Sequence, residues 1–215
     1  PRRNYKKGGI VRDGFQNLGR MRYDQGGKVA IPGEKNRLKV YNYLVSKDLR
    51  PEAIAGIMAN IDKETGVEDF GYRGTFSYKQ QEVGNSQLGS GLFQLTSGVH
   101  KDGYANYIKT NQRPDSEEAN IDYFLDTFLN PDSIMRDQIG AGNANTLRNV
   151  FETGTVEEIT NAINNNWLKP RTYIERKTNP EAHEENLKDR NFRAERVIRE
   201  LPIFQDSLRE KGKQK

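Results

Sequence analysis

Residues 51–66 read PEAIAGIMANIDKETG, and the folding of this stretch decides how the rest of the chain is arranged. Ile54, Ile57, Met58 and Ile61 fall at i, i+3, i+4 and i+7, the spacing of one buried helical face. Pro51 suits a first helical position, where its missing N–H costs nothing. Gly66 suits the left-handed residue just past the last turn. Glu64 follows Ile61 by three residues and Ile57 by seven, so it projects from the edge of the apolar stripe. A carboxylate is costly there, beside buried surface and at the negative end of the helix dipole. It is also the setting in which a general acid is found. The alternative is a helix-end glutamate that turns to solvent or pairs with a lysine, and these residues alone do not choose between the two.

The flank that follows is VEDFGYRGTFSYKQQEVGNSQLGS, residues 67–90, rich in glycine, aromatic and polar residues. Gly71, Gly74, Gly84, Gly89 and Gly91 punctuate it as turns of a small hairpin or β-like lobe. Phe76 and Tyr78 alternate as strand residues do. Phe76 reads as core, whereas Tyr78 is a candidate to stack on a ligand ring. Gln80 and Gln81 offer amide donors and acceptors. Glu82 is the candidate second carboxylate, a base or nucleophile opposite an acid; Glu68 and Asp69 read as solvated turn residues. GLFQLTSG, residues 91–98, then reads as the opening of a second helix. Gln94 there is either a substrate-holding amide or a helix cap, and His100 is a helix-start residue.

The remaining stretches are packing elements. EKNRLKVYNYLVSK, residues 34–47, predicts a helix with Leu38, Tyr41, Leu44 and Val45 inward. Residues 115–130 predict a helix opened by an Asp115–Glu118 capping box, with Ile121, Phe124, Leu125, Phe128 and Leu129 inward and Asp122, Tyr123 and Asp126 on polar or flanking faces. Residues 145–153 and 155–168 predict two more helices, the second opened by a Thr155–Glu158 box and packed through Ile159, Ile163 and Trp167. A long charged helix over 180–201 touches the body through Leu187, Ala194, Ile198 and Leu201, with Pro202 as its stop.

A helix ending in Glu, a short polar insert and then G-L-F-Q resembles the lysozyme-like superfamily, and within it the phage tail lysozyme family. The matching pieces are NIDKETG (60–66), FSYKQQ (76–81), GSGLFQLT (89–96), EEANIDYFLDTF (117–128) and GTVEEITNAINNNWLKP (154–170). They stand in the family's order over roughly residues 35–200. The resemblance implies that the YKQQ segment lines a cleft near a catalytic Glu64. It also implies that the region around Trp167 contributes to the wall of a sugar groove, although core burial is the commoner fate of a lone tryptophan.

Composition bounds the rest. The 215 residues suit one domain with extensions. Cysteine is absent, so no disulfide or cysteine-based metal site exists. The two histidines, His100 and His183, stand far apart without an HExxH pattern, and no metal or cofactor is implied. No apolar run approaches the roughly 20 residues of a membrane span, and no N-terminal apolar segment marks a secretory signal. Residues 1–30 carry eight Lys/Arg against two Asp, and residues 208–215 four Lys/Arg against one Glu, so a mildly acidic body has two basic ends. Residues 1–33 read as an extended basic arm with a short helical turn around 17–22, either a docking segment for other phage structural proteins or a solubilising tail. Nucleic-acid binding by this arm is the weaker option, since it lacks a base-reading motif.

The expected fold is α+β and mostly α-helical: a lysozyme-like domain over 34–202 with a small β-hairpin insert, an arm over 1–33 and a basic tail over 203–215. The expected function, following from the resemblance, is cleavage of the β-1,4 bond between N-acetylmuramic acid and N-acetylglucosamine in peptidoglycan glycan strands, by hydrolysis or transglycosylation. The expected location is a phage virion, tail-associated or internal, or the host cytoplasm before release to the wall. The competing reading is an inactive structural or wall-binding virion protein of the same fold, anchored through its arm.

Overall fold

The computed structural model describes residues 33–65, 88–95, 98–130, 132–169 and 174–213, with the strand residues 22–23, 29–30 and 79–81. The described part is mostly helical. Two short antiparallel pairs accompany the helices: β1 (Arg22–Tyr23) with β2 (Val29–Ala30), and β3 (Lys79–Gln81) with β4 (Leu88–Ser90). The helical turn expected around 17–22 meets a strand at Arg22, and its other residues lie outside the described ones.

Helix α1 (Glu34–Val45) follows Gly33, whose φ of 66° suits a residue without Cβ. Helix α2 (Pro51–Thr65) is the centre of the molecule. The apolar spacing predicts one buried face, but every residue from Ala53 to Asp62 is buried. The small residues Ala53, Ala55, Gly56 and Ala59 allow neighbours to close on the remaining sides. At Gly56 an added Cβ would stand 2.8 Å from Ile159 Cγ2, so the approach there depends on glycine.

Helix α3 (Gly98–Thr110) begins later than the GLFQ stretch. Residues 91–94 form a turn, with Gly91 at φ 75° and Gln94 N–H donating to Gly91 O. The turn is held from α4 (Glu117–Leu129), where buried Asn120 Oδ1 accepts from Leu92 N–H at 3.0 Å. The N-cap of α4 is Ser116, whose Oγ accepts from Ala119 N–H, and not the expected Asp115. Asp115 instead accepts from the Tyr104 hydroxyl. Tyr123, expected on a flanking face, is fully buried, while Val45 and Leu129, expected inward, are exposed.

Helices α5 (Ile134–Ile139) and α6 (Ala141–Thr153) lead to α7 (Val156–Ala162). Both bonds of the Thr155–Glu158 capping box are present. The chain then widens into a π-helical segment, Ile163–Leu168, closed by Lys169 at φ 46°. Helix α8 (Pro180–Lys213) runs 34 residues, about 50 Å at 1.5 Å per residue. It continues through Pro202, where the sequence predicts a stop. Pro202 forfeits one backbone bond, but Leu201 and Phe204 on either side of it are buried, and the Phe204 ring lies 5.3 Å from that of Tyr41 on α1. Residues 203–213 are therefore helix, and not a trailing end.

Candidate active site

The polar end of α2 is assembled by α8. Three consecutive residues, Asp62, Lys63 and Glu64, and Asn60 one turn earlier all find partners on that helix. Asp62 is fully buried in a charge quartet. Arg37 of α1 donates to both Asp62 oxygens at 2.5 Å and to Glu200 at 2.5 Å, and Arg196 donates to Asp62 at 2.9 Å. Two guanidinium groups thus meet two carboxylates where water is excluded. Burial pushes the Glu200 carboxyl above the usual carboxylate range, against the pull of Arg37 and Arg196. Lys63 pairs with Asp189 at 2.5 Å, and Arg193 joins the same carboxylate. Burial works against the charge of Asp189, but Lys63 and Arg193 outweigh it and hold its carboxyl below its ordinary value.

Glu64 occupies the last turn of α2. Arg190 Nη2 donates to Glu64 Oε1 at 2.6 Å, and Arg190 Nη1 to Asn60 Oδ1 at 2.8 Å. Asn60 is fixed in turn by bonds from its Nδ2 to Gly56 O and to Thr160 O. Arg190 is buried, whereas the Glu64 side chain keeps 22% exposure. Glu64 is thus neither turned freely to solvent nor paired with a lysine: it is an arginine-held carboxylate with an open side.

The π segment carries Trp167. It is fully buried, its ring centroid 4.9 Å from Phe93, 4.8 Å from Phe124 and 4.8 Å from His100. Of the two readings of Trp167, core burial and a place on the wall of a sugar groove, the structure has the first: its position in the π segment turns the indole towards Phe93 and Phe124 and away from solvent, so it is corrected as a substrate-binding residue. His100 Nε2–H donates to the Trp167 carbonyl at 3.2 Å, and burial holds the imidazole below its ordinary value. The π segment also carries Asn164, whose Oδ1 accepts from Asn186 on α8, one turn before Arg190.

Gln94 sits in the 91–94 turn at φ 47°, with its Nε2 donating to Gly91 O at 2.8 Å. Its Oε1 is buried with no hydrogen-bond donor among the described residues. This is not a helix cap, since α3 starts at Gly98. Gln80 and Gln81 lie in β3, opposite Gly89 and Leu88 of β4. Tyr78 and Glu82 lie outside the described residues. An open groove of about 360 Å³ is lined by Tyr41, Pro51, Ile54, Leu201 and Gln205 among others. It faces the first turn of α2, the end opposite Glu64, so it does not belong to this site.

Arg37, Arg190, Arg196 and Glu200 are the site-supporting residues that the motif reading leaves out. For Arg190 and Arg37 a weak signal exists in the spacing of buried positions. Arg190 heads the series Arg190, Ala194, Val197, Leu201, Phe204, spaced alternately by four and three, all of them buried. Arg37, Tyr41 and Leu44 repeat that spacing on α1.

A family model described as phage tail lysozyme matches residues 35–201, more than half of the chain. A search of curated proteins and a search of solved structures each found no match.

Proposed function

This chain belongs to the phage tail lysozyme family, and from that premise we propose that it cleaves the N-acetylmuramic acid–β-1,4–N-acetylglucosamine bond of peptidoglycan with Glu64 as general acid. The observation that carries the reading is the contrast between the two carboxylates at the end of α2. Asp62 has no exposure and both oxygens are engaged by arginines. Glu64 is partly exposed and engaged through Oε1 alone among the described residues. Of the two, only Glu64 can reach a substrate.

In the proposed reaction Glu64 delivers a proton to the glycosidic oxygen as the bond to the anomeric carbon breaks. Positive charge builds on the sugar ring. Water attacks the anomeric carbon, assisted by Glu82 as base, or the muramic 6-hydroxyl closes on it. The first route is a muramidase and the second a lytic transglycosylase. Residues 67–90, which include β3 and β4, are proposed as the substrate-binding insert. Tyr78, Gln80 and Gln81 of that insert, with Gln94 of the turn that follows it, are the substrate-holding residues of the proposal. Virion association follows the family, with delivery through the tail the proposed route to the wall.

The test is dye release from labelled peptidoglycan by the wild type, Glu64→Gln and Glu82→Gln. Loss in Glu64→Gln is expected. Loss in Glu82→Gln selects assisted hydrolysis, and its retention removes Glu82 from the mechanism. Wild-type release by Glu64→Gln refutes the assignment.

A further inference from the structure

Arg190 stands out among the buried charges because it touches the proposed acid and is not the sole polar link between α2 and α8. That joint is already made by the Arg37–Asp62–Arg196–Glu200 quartet and by Lys63–Asp189. Arg190 adds a fork whose two arms end on Asn60 and Glu64, one helical turn apart on the same face of α2. A guanidinium is planar, so anchoring one arm fixes the direction of the other. The anchored arm ends on Asn60, which is itself tied to Gly56 O and Thr160 O. The fork cannot swing without breaking that chain.

We propose that Arg190 is the positioning residue of the reaction: it locks Glu64 through Oε1 and presents Oε2 to the glycosidic oxygen. The inference rests on the assignment of Glu64 as general acid. A glutamate side chain has three rotatable bonds, and a small misplacement of a catalytic group costs orders of magnitude in rate. A protonated carboxyl still accepts a hydrogen bond through its carbonyl oxygen, so the bond to Oε1 is compatible with a proton on Oε2. It persists when that proton leaves, so Glu64 keeps one orientation through the cycle. Helix α8 thereby becomes part of the catalytic apparatus.

The experiment measures initial rates of peptidoglycan solubilisation by the full chain, across substrate concentrations, for wild type, Arg190→Met, Arg190→Lys and Glu64→Gln, with thermal melts alongside. Arg190→Met is expected to lower kcat about 10- to 100-fold and to leave the apparent KM within about twofold, as expected when only a transition-state contact is lost. Arg190→Lys keeps the charge but replaces the rigid planar fork with a freely rotating ammonium, so that a bond to Asn60 no longer fixes the direction of a bond to Glu64. It is expected to recover the melting temperature and not kcat, and it decides the matter if Arg190→Met fails to fold. Recovery of kcat together with stability in Arg190→Lys would show a merely structural role and overturn the proposal. So would a raised KM at unchanged kcat in Arg190→Met, which would place Arg190 against substrate. An inactive Glu64→Gln with fully active Arg190 variants overturns this inference alone. An active Glu64→Gln overturns the acid assignment and the inference with it.

Discussion

Replacing Asp62 by alanine leaves Arg37 and Arg196 with Glu200 as the remaining carboxylate of the quartet, which then carries a net positive charge in a region with essentially no solvent exposure. In the wild type the quartet is neutral, two guanidinium groups against two carboxylates. Its attraction largely offsets the desolvation of four charges, so its net contribution is small. Removing one member is different, because the uncompensated charge keeps its desolvation cost and loses its partner. The expected loss is about 3–5 kcal/mol. In a domain of this size each kcal/mol moves the melting temperature by about 2–4 °C, so a fall of roughly 6–20 °C follows. Urea denaturation followed by circular dichroism measures the loss directly, with the slope compared to confirm that the unfolded state is unchanged. The double variant Asp62→Ala/Arg196→Met restores neutrality and is expected to lose less than the sum of the single changes. A loss below about 1 kcal/mol in Asp62→Ala, the range of an exposed pair, would refute the claim that this cluster is buried and coupled.

Trp167→Ala is expected to cost about 3–5 kcal/mol by opening a cavity among Phe93, Phe124 and His100. Trp167→Phe is expected to keep wall cleavage, and a selective loss of substrate affinity in that variant would contradict the core assignment. Asp189 has a folded-state carboxyl held below its ordinary value of 3.8, so its contribution is complete above that pH and is lost as pH falls through the lowered folded value. Asp189→Asn should flatten the acid side of a stability–pH curve, and an unchanged curve would contradict the pairing with Lys63 and Arg193. Pro202 is exposed inside α8, where proline costs about 3 kcal/mol in a regular helix interior. Pro202→Ala should raise the melting temperature, and a fall would mean that the proline suits the local backbone.

Much of the helical layout is legible in the sequence because apolar spacing and caps are local signals. The stripe Ile54, Ile57, Met58, Ile61 marks α2, and Thr155 with Glu158 marks the start of α7. Glu64 is legible as unusual because its oddity lies in its distance from that stripe. What holds it is not legible in the same way. Arg190 reads as one charge among many on a polar helix, and becomes a buried partner only when α8 packs against α2 from 126 residues away. Arginine and glutamate are ordinarily solvated, so the motif reading leaves Arg37, Arg190, Arg196 and Glu200 outside. The GLFQ stretch reads as a helix start because glycine and amide residues suit one. Its actual turn depends on Asn120, which lies at 3.0 Å from the place a Cβ would take at Gly91. Pro202 obeys no local rule here, since the tertiary burial of Leu201 and Phe204 outweighs the missing bond.

The central claim is that Glu64 protonates a glycosidic oxygen in peptidoglycan. Mass spectrometry of the muropeptides released from purified peptidoglycan by the wild type and by Glu64→Gln tests it most directly. Release by the wild type alone is the predicted result, with reducing ends marking hydrolysis and anhydro ends, one water lighter, marking transglycosylation. Equal release by the two proteins, or none from a folded wild type, would contradict it.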